Sequence, residues 1–367
     1  MWSRFFMIHR LIQSCLGLLV TRYPSPYSSS TSSSPLPEIQ FLEQLFSLCD
    51  QRIRVRELAT VYHKHDPFPI YSIHMGNPDP KTPKIAFIGG VHGLERIGSQ
   101  IVIAYLETLI NRLEWDALLH HELENLELIL LPVINPVGMY HGWRANGNGV
   151  DLMRNAPVDA EGKVSFMVGG HRLGPWLPWY RGRKNEDMQQ ETQILVDTIT
   201  EYLLPSPFSM VLDCHSGFGM EDRIWFPYAG TSRPPENLAE IYALKQMFAA
   251  SYPNQNYIIE PQTHHYTTHG DIWDYLYKNA QRSGNTFLPF TLELGSWRWV
   301  RKNPWQIKSL IGLFNPVMPH RLQRALRRHN VLLEFLLRAT MSFDNWLPRG
   351  KQRLQFHHAG LDCWYDR

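Results

Sequence analysis

The chain has 367 residues, 44% of them apolar and 19% charged, so it can bury a large core and is not disordered along its whole length. Its 36 Lys and Arg nearly balance 34 Asp and Glu, which excludes a dedicated nucleic-acid binder, where a strong basic excess is expected. Cys15, Cys49, Cys214 and Cys363 are too few and too scattered for a disulfide framework or a CxxC metal site, and they point to a reducing compartment.

Residues 1–37 carry Arg4, Arg10 and Arg22 and no acid, then an apolar run over 11–20 and a Ser/Thr/Pro tract. The run is far short of the ~20 residues that span a bilayer. This segment is expected to be disordered or targeting-like. A cytoplasmic protein is the expectation, with a secreted or periplasmic one as the alternative if residues 1–30 are a signal segment. Between 38 and 320 the chain holds 24 basic and 30 acidic residues, a net of −6, so a mildly acidic body lies between basic ends.

Residues 67–74 and 84–89 read as strands, and 98–112 as a helix with Ile101, Tyr105, Leu106 and Leu109 on one face. The apolar stretch 126–134 predicts a strand buried on both sides and stopped by Asn135-Pro136. Residues 186–204 then read as a helix, 208–214 as a strand, 237–251 as a helix and 286–294 as a strand. Pro289 inside the last marks an edge, a bulge or a late start. Residues 321–343 predict an amphipathic helix with Arg321, Arg324, Arg327 and Arg328 along its early turns. That basic face is either solvated or in contact with a partner or an anionic surface. Residues 346–367 read as a tail of no clear structure. Strands alternating with helices predict a single three-layer α/β/α domain with a mixed, twisted sheet and functional residues at the strand ends.

Four motifs stand at those ends. His92 and Glu95 follow a strand in Gly90-Val91-His92-Gly93-Leu94-Glu95, three positions apart on a turn, and can aim a ring nitrogen and a carboxylate at one ion. His215 stands where the strand 208–214 runs into Gly217. With His92 and Glu95 it makes a set of two histidines and one carboxylate, which leaves zinc a further position for water. Cys214, next to it, turns to the opposite face and reads as core. The third motif runs from Asn135-Pro136-Val137-Gly138 to Trp143-Arg144 and on to Gly149-Val150-Asp151-Leu152-Met153-Arg154-Asn155. Its two arginines suit a carboxylate or a developing oxyanion. The fourth is Glu293, the one acid in an apolar strand, where desolvation raises a carboxyl toward the range of a useful general base.

In this order the four motifs resemble the zinc carboxypeptidase superfamily of the carboxypeptidase A and B type, over roughly 38–318, and its less characterised bacterial-type branch more than the digestive enzymes. The resemblance implies a mostly eight-stranded mixed sheet between helical layers, a catalytic domain over 38–318, and a helical extension and tail over 319–367. It implies one Zn²⁺ per chain held by His92, Glu95 and His215, with Asp151 orienting a ligand histidine. Glu293 is implied as general base toward a zinc-activated water, and Arg144 as the oxyanion stabiliser. Arg154 is implied as the clamp for a terminal carboxylate, with Asn155 and Tyr266 as further substrate contacts. Met153 stands where the family run has an Asn, which leaves Arg154 with more of that work. His264, His265 and His269 surround Tyr266 as candidate contacts, and Asp271 is a candidate selector of a basic side chain.

The expected activity is hydrolysis of a C-terminal peptide or amide bond. Two alternatives stay open: a zinc deacylase of N-acyl amino acids, of the aspartoacylase or succinylglutamate desuccinylase type, and a non-catalytic binding domain of the same fold. Trp143-Arg144 and the long insertion before His215 favour the peptidase arrangement. The expected partner is a peptide or small amide, with no nucleic acid and no transmembrane segment, and the sequence sets no oligomeric state.

Overall fold

A computed structural model of the chain describes residues 34–366. Up to residue 33, the predicted targeting-like segment lies outside the described residues. Pro37 opens α1 (Pro37–Phe46), a position where its missing N–H costs nothing. β1 (Ile53–His63) and β2 (Asp66–Gly76) then form a hairpin through Lys64-His65, with Lys64 at a φ of 57°. β3 (Lys84–Gly89), α2 (Arg96–Arg112), α3 (Ala117–Asn125), β4 (Glu127–Leu131) and α4 (Pro136–His141) follow. After a long loop come α5 (Gln190–Tyr202), β5 (Phe208–Ser216), β6 (Asp222–Phe226), α6 (Leu238–Ser251), β7 (Tyr257–Pro261), α7 (Ile272–Ala280) and β8 (Thr286–Leu294). The chain continues through short helices α8 (Trp297–Lys302) and α9 (Leu310–Phe314), the long α10 (Pro319–Met341), one turn of α11 (Phe343–Trp346) and α12 (Gly350–Trp364).

The strands form one eight-stranded sheet in the order β1-β2-β4-β3-β5-β8-β6-β7. β4, β3, β5 and β8 run parallel at its centre, and antiparallel pairings join β2 to β4 and β6 to β8. This is the mixed sheet between helical layers that the motif pattern predicts. Alternation along the strands divides the core in two. Phe87, Leu212, Cys214 and Leu292 face α2 and α10, where Tyr105, Leu106, Leu333 and Leu337 pack. Ala86, Ile88, Val211 and Phe287 face α5 and α7, against Leu195, Ile199, Ile272 and Leu276. Asp213, His215 and Glu293 alternate onto the second face and stand at its C-terminal end. Cys214 is in the first core, on the opposite face, as predicted.

Pro289 pairs in register with Val211 of β5, while β6 reaches only Thr291 to Glu293 on the other side. The proline therefore occupies the part of β8 that lacks its second neighbour, where a missing donor breaks no ladder bond. The tail predicted for 346–367 is corrected: most of it is helix α12, which packs on α6. Only Gly360 and Trp364 of α12 are buried, so its apolar pattern is too sparse to announce a helix. Trp364 sits edge-on to Phe226 at 4.9 Å and donates Nε1 to Ile259 O at 2.8 Å. Among the described residues no helix is long and apolar enough to cross a membrane.

Candidate active site

The turn after β3 and the N-terminus of α2 carry His92 and Glu95. They are held from below by a close approach: a Cβ on Gly93 would meet the carbonyl carbon of Gly138 at 2.0 Å. Asn135 completes that contact. Its Oδ1 accepts from Gly138 N at 2.9 Å and caps α4, while Nδ2 donates to Val91 O, beside His92, at 3.3 Å. The NPVG run thus works as a brace for the His92 turn.

His92, Glu95 and His215 come together, each offering a ligand atom within 4.8 Å of the others, and all three are buried. Nδ1 of His92 lies 3.1 Å from Nδ1 of His215 and 2.9 Å from Glu95 Oε1, and Nδ1 of His215 lies 3.0 Å from Glu95 Oε2. The outer nitrogens are occupied by carboxylates. His92 Nε2 faces Asp151 Oδ1 at 3.1 Å, and His215 Nε2 faces Asp213 Oδ2 at 2.7 Å. An imidazole whose Nε2–H is pinned to a carboxylate turns its Nδ1 lone pair inward. Both Nδ1 atoms point inward here, toward each other and toward Glu95.

This donor set fits a zinc ion. Two ring nitrogens and a carboxylate, all buried, match the N/O chemistry that zinc takes in catalytic sites. Glu95, Asp151 and Asp213 place three carboxylates around the two rings against the single guanidinium of Arg144, and a cation at the convergence of the Nδ1 atoms would balance the rest.

Arg144 bridges the cluster, donating Nε to Asp151 Oδ2 at 2.8 Å and Nη1 to Glu95 Oε1 at 3.1 Å. Burial opposes its charge, but Asp151 and Glu95 outweigh burial and hold the guanidinium protonated. Asp151 is in turn held well below the usual carboxylate range, since Arg144 and His92 overcome the cost of burying it. It also accepts from Met153 N at 3.1 Å, which fixes the turn that carries Arg154. Glu293 pairs across the sheet with His215 on β5. Burial pushes its carboxyl up to about 8, the charge of Glu95 adding to the effect while His215 and Arg144 oppose it.

Arg154 is 3% exposed. Its guanidinium makes two long bonds to main-chain carbonyls, Val168 O and Met153 O, both at 3.4 Å, and among the described residues no carboxylate lies in ion-pair range of it. The half-buried Tyr266 rests near Trp225, ring centroids 6.0 Å apart. Burial raises its hydroxyl, and Arg154 and Arg144 draw it back.

Other predicted residues are placed elsewhere. Both ends of the Asn155 amide are taken up by the backbone, Nδ2 donating to Arg181 O at 3.0 Å and Oδ1 accepting from Gln189 N at 2.6 Å. Asp271 is buried and its Oδ1 caps α7, accepting from Trp273 N at 2.9 Å and Asp274 N at 3.0 Å. Met153 is buried in the second core. His264 and His269 are spent on Trp364 O and Ala160 N, and His265 on Glu260. Two residues escaped prediction. Asp213 precedes His215 by two positions, so strand alternation alone places it on the same face. Trp273, whose Nε1 donates to Asp213 Oδ2 at 3.0 Å, has no local signal.

Known proteins share the fold and the family. Carboxypeptidase E of Caenorhabditis elegans is 28% identical over 161 residues, covering 40% of this chain and 33% of that protein. Carboxypeptidase SOL1 of Arabidopsis thaliana is 27% identical over 107 residues, 28% of this chain and 22% of that protein. The chain thus spans a third or less of the length of either curated relative. The crystal structure of thrombin activatable fibrinolysis inhibitor superposes with a TM-score of 0.64 at 15% identity, over 91% of this chain and 81% of that one. Carboxypeptidase A from Helicoverpa armigera gives 0.62 at 19% identity, over the same shares. These likenesses show the fold. The family model for zinc carboxypeptidases matches residues 39–300, a span that takes in every one of the motifs gathered at the strand ends, and the chain belongs to the zinc carboxypeptidase family.

Proposed function

We propose that this protein is a metallocarboxypeptidase that removes the C-terminal residue of a peptide or hydrolyses a related terminal amide, with one zinc ion per chain held by His92, Glu95 and His215. The observation that carries the reading is Arg154. A buried guanidinium with no carboxylate in ion-pair range, its charge met only at longer range by Asp151 and Asp271, has its fork free for a substrate's terminal carboxylate, whose geometry suits it.

Bound zinc would lower the pKa of a water and polarise the scissile carbonyl. The chain's own groups do the rest. Glu293, raised into the neutral range by burial, takes the proton of the attacking water and passes it to the leaving amine. Arg144 uses Nε and Nη1 on Asp151 and Glu95, which leaves Nη2 to meet charge that develops on the carbonyl oxygen. Asp151 and Asp213 hold the two rings in one tautomer, so that both Nδ1 lone pairs stay inward. Tyr266 covers the substrate end beside Arg154, and Asn155 holds the loop that carries Arg154.

The test is mass spectrometry of peptide and acyl-amino-acid pools before and after incubation with the zinc-loaded protein, with a chelator control. Chelator-sensitive release of terminal residues is the expected result. Deacylation of small N-acyl amino acids with peptides untouched would replace this reading with the deacylase alternative.

A further inference from the structure

Beyond the site, the segment that joins β8 to α10 has a split character. Trp299, Gln306, Gly312 and Asn315 turn inward and are buried, with Gln306 Nε2 donating to Gly312 O at 2.9 Å and to Asn315 O at 3.2 Å. Held by that inner row, Trp297, Trp305, Ile307 and Leu310 stand outward at 59%, 72%, 66% and 58% exposure. Apolar side chains this exposed and this close together mark a docking surface.

The charge says what docks. Residues 294–333 hold eight Lys and Arg and no Asp or Glu, whereas 38–293 hold twenty Lys and Arg against thirty Asp and Glu, a net of −10. Arg301, Lys302 and Lys308 are exposed, and among the described residues none of them pairs with a carboxylate. Lys308 Nζ lies 4.1 Å from the centre of the Trp305 ring, so cation and aromatic share one face. Exposed Trp and aliphatic side chains interspersed along the chain with exposed Lys and Arg have the chemistry of interfacial segments on anionic bilayers. A second copy fits poorly, since a two-fold interface would set this basic face against itself.

We propose that residues 297–311 dock the protein on an anionic lipid surface, in the manner of a peripheral membrane protein, with the candidate active site beside the contact. The segment is tied to the site at three points. Trp297 Nε1 donates to Gly217 O at 3.1 Å, two residues past His215. Asn315 Oδ1 accepts from Ile97 N at 2.9 Å and its Nδ2 donates to Leu94 O at 2.8 Å, on either side of Glu95. Ile311 lies against Gly142, two residues before Arg144. The acidic remainder of the body is repelled by the same surface, which fixes the orientation. This inference stands independently of the peptidase reading, because its readout is binding.

Flotation of the full chain with phosphatidylcholine vesicles, with and without phosphatidylglycerol, tests it. Partition is expected into the anionic vesicles alone and falls as salt rises. The triple variant Arg301→Gln/Lys302→Gln/Lys308→Gln loses about 100-fold in partition, at roughly fivefold per cation. Trp305→Ser/Ile307→Ser/Leu310→Ser loses more than about tenfold, and both variants keep the parent's circular dichroism and thermal midpoint because the changed side chains are exposed. Absence of partition at low salt, equal partition into neutral vesicles, or partition that neither triple variant alters would overturn the proposal. So would a dimer seen by sedimentation that the apolar triple variant dissociates while vesicles bind nothing.

Discussion

His215 and Glu293 are direct cross-strand partners in the parallel register of β5 and β8. The sheet therefore sets the proposed base beside a proposed ligand without any loop having to find its position. One register fixes both, and a slip of one residue would turn either side chain into the opposite core.

From this pairing follows a pH profile. Glu293 acts as a base only when ionised, so activity rises with pH through the value of this carboxyl and falls on the acid side. Burial lifts that value to about 8, and a cation at the neighbouring ligands draws it down. The acid limb of kcat/KM is expected between the ordinary Glu value of ~4.3 and about 8. Glu293→Gln removes the limb and lowers kcat by about 10²–10⁴-fold with zinc content unchanged. An acid limb at the ordinary carboxylate value would contradict this.

Asp213 accepts from both His215 Nε2 and Trp273 Nε1. Asp213→Asn keeps the shape but loses the charge that orients the ring, and should weaken zinc affinity by about 10–100-fold. Trp273→Phe removes the second donor and should have a smaller effect in the same direction. Competition against a chelator of known affinity reads both, and parental affinity in Asp213→Asn would show that the ring is oriented by packing alone.

A second titration sits away from the site. His329 on α10 is buried, with Nδ1 2.9 Å from the Tyr257 hydroxyl and Nε2 4.0 Å from Asp222. Burial, then the charges of Arg328 and Arg298, depress its pKa to about 3. The unfolded chain takes up this proton near pH ~6.5 and the folded protein does not, so the stability is fully present above that pH and is lost as pH falls toward 3, at up to ~1.4 kcal/mol per unit. Denaturant midpoints across pH 4–7 should flatten in His329→Gln. A slope equal to the parent's would contradict the assignment.

The helix that closes the chain has a measurable role in stability. Trp364 is 4% exposed and packs with Phe226 and Tyr242. Trp364→Ala is expected to destabilise the protein by about 3–5 kcal/mol, read as a lowered denaturant midpoint. It also disturbs the carbonyl that holds His264, two residues from Tyr266. A change under 1 kcal/mol would mean that α12 is dispensable.

Much of the site was legible because its residues stand where strands end. His92 with Glu95, His215 after an apolar run, and Glu293 within one each break a local pattern, and together they define a chemistry. Asp213 was equally open to alternation along β5. Trp273 was not, since 60 residues separate it from Asp213. The fold was readable where elements are almost wholly apolar, as in the short β4, or apolar and long, as in β5, β8 and α2. It was hidden in β1, whose exposed positions carry Arg56 and Glu57 on a half-covered edge, and in β6 and β7, which are five residues each and lean on neighbours more than on their own pattern. Arg144 was readable as a loop cation after a buried strand, whereas its two hydrogen bonds to Asp151 and Glu95 required the fold.

The most direct test pairs two peptides of one sequence, one with a free C-terminal carboxylate and one amidated, and incubates each with the full chain after zinc loading. The account predicts one zinc per chain and release of the terminal residue from the free acid only. It also predicts a KM raised about 10- to 100-fold in Arg154→Ala from loss of the charge-assisted bonds. Equal cleavage of the amidated peptide, or a fully zinc-loaded protein that releases no terminal residue from either, would contradict it.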